Sequence, residues 1–185
     1  MAEQGKSKLE KKVEEGLYGR PEIKKEEKNR FLGEFKERVI RYLDYKQVEE
    51  PGTYPEILEA IRHPQAKKLI IDRRVDDERA RDYIALAREN ELQFKRVDSP
   101  KFEGQTGLVV VSKQAVEIKN RKVMDRKERL QKLGISDRII KNAGRKLCAA
   151  CWQELEEKAP QELINYQKMN LLDKIGGTSC VCKDK

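Results

Sequence analysis

Histidine is almost missing from this chain of 185 residues, and with it go several familiar kinds of chemistry. The one imidazole, His63, stands before Pro64 at the end of an expected helix, a setting that suits an exposed or helix-terminal role. A single imidazole excludes histidine-rich metal sets, and at an exposed helix end it gives no support to a Ser-His-Asp or Cys-His set, so most familiar hydrolase designs are not expected. No glycine-rich phosphate loop with its lysine occurs, and Gly104 and Gly107 suit turn geometry instead. No run of about eighteen apolar residues is present to span a bilayer. The opening Met-Ala-Glu-Gln-Gly-Lys leads into charge and not into an apolar signal core, so a soluble, cytoplasmic protein is expected. Aromatic residues make up only 6%. Tyr18, Tyr42, Tyr45 and Tyr54 are too scattered to order a base-stacking face, and Trp152 reads as a packing aromatic. The acidic neighbours Glu49-Glu50, Asp76-Asp77 and Glu156-Glu157 diverge on a helix and form no acid/base couple. These absences predict a protein that is not an enzyme.

What is present is charge, unevenly placed. The formal net charge is +8. From Lys119 to Lys146 eleven basic residues face three acids, Asp125, Glu128 and Asp137, so this one segment matches the whole excess. A localised positive stripe is the footprint of a phosphate-backbone partner; a solvated lysine-rich helix is the alternative. Within it Arg121, Lys122, Arg126, Lys127, Arg129 and Lys132 are the expected nucleic-acid contacts.

Along the chain, residues 1–26 mix Lys and Glu with few large apolar groups and predict a mobile charged tail, with a loop at Gly16-Leu-Tyr-Gly-Arg-Pro21 and a short helix following through Phe31 and Leu32. Residues 35–48 fit a helix face or a half-buried strand equally. Thr53-Tyr-Pro-Glu56 predicts a capping box, with Thr53 as N-cap, opening a helix that buries Ile57, Leu58 and Ile61. Lys68–Ile71 predicts a buried strand, and Asp76 or Asp77 caps a helix burying Ala80, Ile84 and Ala87. Strands are expected at 92–98 and 107–112, the second lying beside the first. The alternation implies α/β crossovers and a mostly parallel sheet. Helices are then expected at 123–133, from Ser136 to Gly144, over Leu147, Cys151 and Leu155, and from Pro160 to Gly176-Gly177, the last burying Leu163, Ile164 and Leu171 or Leu172.

Residues 16 to about 120 resemble the YueI-like family of uncharacterised bacterial proteins. The likeness is carried by Gly16-Leu-Tyr-Gly19 with Pro21 and Glu22, Phe31-Leu-Gly-Glu-Phe-Lys-Glu-Arg-Val39, Tyr54-Pro-Glu56 and Gln105-Thr-Gly-Leu-Val109. The resemblance implies a β-α-β-α-β-β sandwich and makes residues 37–46 the first strand; it implies no activity. A more distant likeness is to the ribosomal proteins that bind kink-turn RNA, at Gly52-Thr-Tyr-Pro-Glu-Ile57 and Phe102-Glu-Gly-Gln-Thr-Gly107. Pro55 stands where that family has Asn, which removes the base-reading contact, while Glu56 and a helix N-terminus remain.

The four cysteines form two close pairs, Cys148-Ala-Ala-Cys151 and Cys180-Val-Cys182. Brought together by a helical hairpin, they would give the closed four-sulfur shell that structural zinc prefers. Four unrelated thiols, a redox pair and an iron–sulfur cluster follow in that order, the redox pair lacking the strand-then-helix setting such chemistry uses. The organisation expected is a tail at 1–26, an α/β domain at 27–118, a basic helical arm at 119–146 and a helical, cysteine-bearing module at 147–185. The function expected is a non-catalytic RNA-binding or ribosome-associated accessory protein with a zinc module. The alternative is a protein adaptor whose basic arm meets an acidic partner.

Overall fold

The structure, a computed structural model, describes residues 25–98, 104–175, 177 and 179–182. The expected loop at 16–21 and nearly all of the expected tail lie outside the described residues, as does Gly176. A helix α1 (Lys25–Arg30) leads into Phe31 and Leu32, both buried. There follow β1 (Val39–Asp44), α2 (Tyr45–Val48), α3 (Pro55–Ile61), β2 (Ala66–Asp72), α4 (Asp77–Glu89), β3 (Gln93–Val97) and β4 (Thr106–Ser112).

The four strands form one mixed sheet in the order β1-β4-β2-β3. β4 runs antiparallel to both β1 and β2, and only β2 and β3 are parallel. This corrects the expectation that the sheet is mostly parallel and that β4 lies beside β3. The physical reason is burial: every residue of β4 is buried, whereas the first three residues of β3 are exposed. The most apolar strand takes the centre and the most polar takes an edge.

Period-two alternation divides these side chains between two faces. Leu69, Ile71, Leu108 and Val110 pack with Ile57, Ala60, Ile61, Ala80, Tyr83 and Ala87 of the helices. Ile70, Val109 and Val111 pack with Phe31, Leu32 and Val39 on the other. Covering both faces explains why Gly107-Leu-Val-Val-Val111 reads as a continuous apolar run. Gly107 itself is required by a close approach, since a Cβ there would lie 2.9 Å from Tyr45 Cα.

Two helix starts differ in chemistry. α4 is capped by Asp76, whose carboxylate accepts from the N–H groups of Glu78 and Arg79. α3 has Tyr54 and not Thr53 at its N-cap and no side-chain cap, so the expected capping box is overturned. Pro55 in the first turn needs no hydrogen bond from its nitrogen, Tyr54 N–H donates to Tyr83 Oη at 3.3 Å, and Thr53 just before the helix is held by the C-terminal part of the chain.

Past β4, residues 121–123 run along the outer edge of β1. Tyr42 N–H donates to Arg121 O at 3.0 Å, and Val123 N–H donates to Tyr42 O at 3.2 Å. Then come α5 (Arg126–Lys132), α6 (Asp137–Ile140), β5 (Lys146–Leu147), α7 (Ala149–Lys158), a 3₁₀ turn over Pro160–Asn165, β6 (Gln167–Lys168) and α8 (Leu171–Ile175). β5 and β6 pair in parallel. The expected helical hairpin to Ile175 is therefore corrected, because its second arm is a 3₁₀ turn and a strand before a final short helix. Leu163 is partly buried against the second cluster as expected, but Ile164 is 47% exposed, and Leu171 and Leu172 are 73% and 76% exposed, so the rest of the apolar stripe expected there is not buried. Leu130, Ile135, Ile139, Leu147, Cys151, Leu155, Tyr166, Cys180 and Val181 form a second buried cluster instead.

Candidate metal centre and its link to the sheet domain

Cys148 occupies the N-cap of α7, directly after β5. One turn on, Cys151 lies on the same inward face as Leu155, and both are buried. Gly177 adopts a left-handed backbone (φ 80°), and the chain then returns to place Cys180 and Cys182 on a turn over the start of α7. All four sulfurs lie within 4.8 Å of one another. The gap is 3.8 Å between Cys148 Sγ and Cys182 Sγ, and 3.7 Å between Cys151 Sγ and Cys180 Sγ.

A tetrahedral ion with metal–sulfur bonds of about 2.3 Å separates its sulfurs by about 3.8 Å. The two measured gaps match that edge. A multi-iron cluster spreads its ligands around a larger core, so the geometry suits one ion. The expected setting of the first pair needs correction, because Cys148 does follow a strand and does open a helix.

The sulfurs differ in environment. The Cys151 N–H hydrogen-bonds Cys148 and is the main reason its thiol is held down to about 7, with smaller help from the other three cysteines. The Cys148 N–H donates to Cys180 Sγ at 3.2 Å. Burial pushes the Cys151 thiol well up, and the Cys182 thiol is raised chiefly by its hydrogen bond with Cys180. Cys151 and Cys180 are buried, Cys148 is intermediate and Cys182 is exposed. The cluster thus has an inner and an outer half. Arg138 Nη1 donates to Cys182 O at 3.2 Å and steadies the turn that carries the outer half.

The expected nucleic-acid contacts divide. Arg126 is 2% exposed and corrects the expectation outright: its guanidinium donates to Pro51 O and, at 2.8 Å, to Thr53 O, and lies 4.7 Å from the Tyr54 ring. Arg129 pairs with Glu56 at 3.1 Å and with the fully buried Glu162. Arg121 donates to the carbonyls of Val39, Ile118 and Val116 at 2.9, 2.6 and 2.7 Å. These three arginines hold the segment onto the sheet domain, so 119–146 is no free arm. Lys122 pairs with Asp44 at 2.5 Å, Lys132 with Glu128 at 2.7 Å, and Lys127 is exposed.

Glu56, expected as a cap or a phosphate neighbour, is half-buried against Arg129, and burial raises its carboxyl. What joins the second cluster to the sheet domain is a buried polar seam. Asn165 Oδ1 accepts from Thr53 N–H at 2.6 Å, while Asn165 Nδ2 donates to Thr53 O at 2.8 Å and to Glu162 Oε2 at 2.9 Å. Gly52 (φ 78°) lets this happen, because a Cβ there would lie 2.5 Å from Asn165 Oδ1. Gln47 makes a second tie, donating to Val123 O at 3.0 Å and Asp125 Oδ1 at 2.9 Å. Sequence reasoning missed Gln47, Glu162 and Asn165. The available signal was the i, i+3, i+4 spacing of Glu162, Asn165 and Tyr166, a buried stripe whose members are polar.

Residues 6–122 match the family described as Protein of unknown function (DUF1694). The chain is similar to the Uncharacterized protein YueI of Bacillus subtilis (strain 168), with 28% identity over 109 residues that cover 59% of this chain and 83% of that one. It is also similar to the crystal structure of the YueI protein from Bacillus subtilis, with a TM-score of 0.53 and 27% identity over 64% of this chain and 92% of that chain. The family match ends before α5, so the four cysteines lie beyond it. Among the described residues no helix is long and apolar enough to cross a membrane.

Proposed function

The chain belongs to the family described as Protein of unknown function (DUF1694), and we propose that it is a non-catalytic binding protein whose four C-terminal cysteines hold one structural zinc ion. The observation that carries this is the meeting of four sulfurs, from two distant pairs, within 4.8 Å. Two of their gaps equal a tetrahedral edge, and sulfur is the donor that selects zinc over harder divalent ions. Four protein ligands leave no open position for substrate, so the ion stabilises the fold and does no chemistry. It closes the loop from Cys148 to Cys182 and so secures the second buried cluster. The test is elemental analysis and native mass spectrometry of protein purified without a metal-affinity tag. One zinc per chain, with thiols that react only after chelation, is expected. Absence of metal together with four freely reactive thiols overturns the reading.

RNA or ribosome association is the second reading, and it narrows to lysines. Lys122, Lys127 and Lys132 reach solvent on the 119–146 segment. Three phosphate contacts give a slope of log affinity against log salt of roughly −2 to −3. A measured slope near zero refutes RNA contact and favours an acidic protein partner for the same lysines.

A further inference from the structure

We propose that Cys148 and Cys182 are an oxidative modification site, at which a hydroperoxide converts the pair to a disulfide and expels the metal ion. The inference rests on the zinc reading for its second half only; the disulfide step needs the two thiols alone. Cys182 is exposed and Cys148 is partly so, and their sulfurs are 3.8 Å apart. Cys151 and Cys180 are buried beneath them. Cys148 also occupies the N-cap of a helix that follows a strand, the local setting of reactive thiols.

An oxidant arriving from solvent meets the outer pair first. One sulfur of that pair attacks one peroxide oxygen, the O–O bond breaks, and a sulfenic acid forms with release of one water or alcohol. The other sulfur of the pair, as thiolate, then attacks the sulfenic sulfur and expels the second oxygen as water, forming the S–S bond. In balance, two thiols of the metal-free chain lose two electrons and two protons and one hydrogen peroxide becomes two waters; where the sulfurs are metal-bound thiolates they lose the same two electrons and solvent supplies the two protons. The ion changes no oxidation state. It loses two of four ligands and leaves as a divalent cation, because two sulfurs do not make a closed shell.

The position of the bridge has a structural consequence. A Cys148–Cys182 bridge keeps the turn at 179–182 tied to the start of α7, so Cys180 and Val181 stay near the cluster they fill. Oxidation therefore exchanges one clip for another and is reversible by a dithiol, in contrast to stripping by a chelator, which leaves the turn untied.

The experiment treats the full chain with equimolar hydrogen peroxide, follows zinc with a chromogenic chelator and maps disulfides by mass spectrometry. Fragmentation must break the backbone between Cys148 and Cys151 and between Cys180 and Cys182, since each pair shares a tryptic peptide. The expected result is a Cys148–Cys182 bridge as the first product, one zinc released per bridge, and recovery of both on reduction and zinc addition. Bridging of Cys151 to Cys180 first, or over-oxidation of Cys182 without a bridge, overturns the proposal. Zinc held through peroxide treatment overturns it as well. If the protein carries no metal from the start, the zinc reading fails, yet the order of bridge formation in the metal-free chain still decides whether the outer pair is the oxidation site.

Discussion

Replacing Asn165 by Ala removes a side chain that joins the two buried clusters through four hydrogen bonds, the longest of them from Thr53 Oγ1 at 3.4 Å, and its cost follows from the three shorter ones. The Thr53 N–H loses its acceptor inside a buried site and is left unpaired, costing about 2 kcal/mol. Thr53 O keeps the Arg126 donor at 2.8 Å, so that acceptor is not orphaned. Glu162 loses one of its donors and keeps its pairing with Arg126 and Arg129, for about 1 kcal/mol. The sum is about 3 kcal/mol, or a fall in Tm of roughly 6–12 °C for a chain of this size. The sharper assay is a cycle with Gly52→Ala. That change costs roughly 1–2 kcal/mol from its left-handed backbone alone. It costs a further 1–3 kcal/mol or so while Asn165 Oδ1 stands 2.5 Å from the new Cβ. With Asn165 already gone the second cost disappears, so the double variant loses less than the sum of the singles by about 1–3 kcal/mol. Urea unfolding of all four proteins at saturating zinc measures this. Additivity within roughly 0.5 kcal/mol refutes the seam as the contact between the clusters.

Glu162→Gln leaves Arg126 and Arg129 facing a neutral group at the same buried point, and a loss of about 3–5 kcal/mol is expected in chemical unfolding, a loss under about 1 kcal/mol refuting the buried pairing. Gly107→Ala drives a Cβ to 2.9 Å from Tyr45 Cα and is expected to lower stability by about 1–3 kcal/mol in thermal melts; an unchanged Tm shows that α2 can move aside. Leu171→Ser and Leu172→Ser alter side chains that are mostly exposed and should change stability by no more than about 0.5 kcal/mol, a larger loss showing that they pack in solution. Acid should release the zinc, since protons compete for each sulfur: the stability it confers is present at neutral pH and lost as pH falls, and zinc retained at about pH 4 in a dye-release titration contradicts four-thiolate ligation.

Local chemistry made much of the sheet domain legible. Asp76 caps α4 because its carboxylate meets two free N–H groups, a signal that needs no tertiary contact. Apolar and polar residues do not alternate along the β4 run from Leu108 to Val111, and that lack of alternation correctly marks a strand covered on both faces. Strand order was not legible, because the choice of neighbours for β4 depends on which faces the helices cover and on the exposure of β3. The cysteines were legible as a set because close spacing within each pair is a local feature, although the turn and strand that bring the pairs together were not. The basic segment misled most. Arg121, Arg126 and Arg129 count as surface charge in the sequence, whereas each finds carbonyls or carboxylates on distant parts of the chain, or, for Arg121, on β1 and the loop beside it.

The strip of chain at 121–123 along the flank of β1 also bears on how copies of this protein can meet. Its hydrogen bonds occupy the Tyr42 N–H and carbonyl, which β1 would otherwise offer to another strand. Among the described residues β3 has a strand partner on one side only, so it is the sheet's open margin. A sheet with one open margin can join one other sheet, and the joining closes both. Through this sheet, growth by edge pairing then halts at two copies, and the exposed Lys95 on β3 sets like charge against like even at that first step.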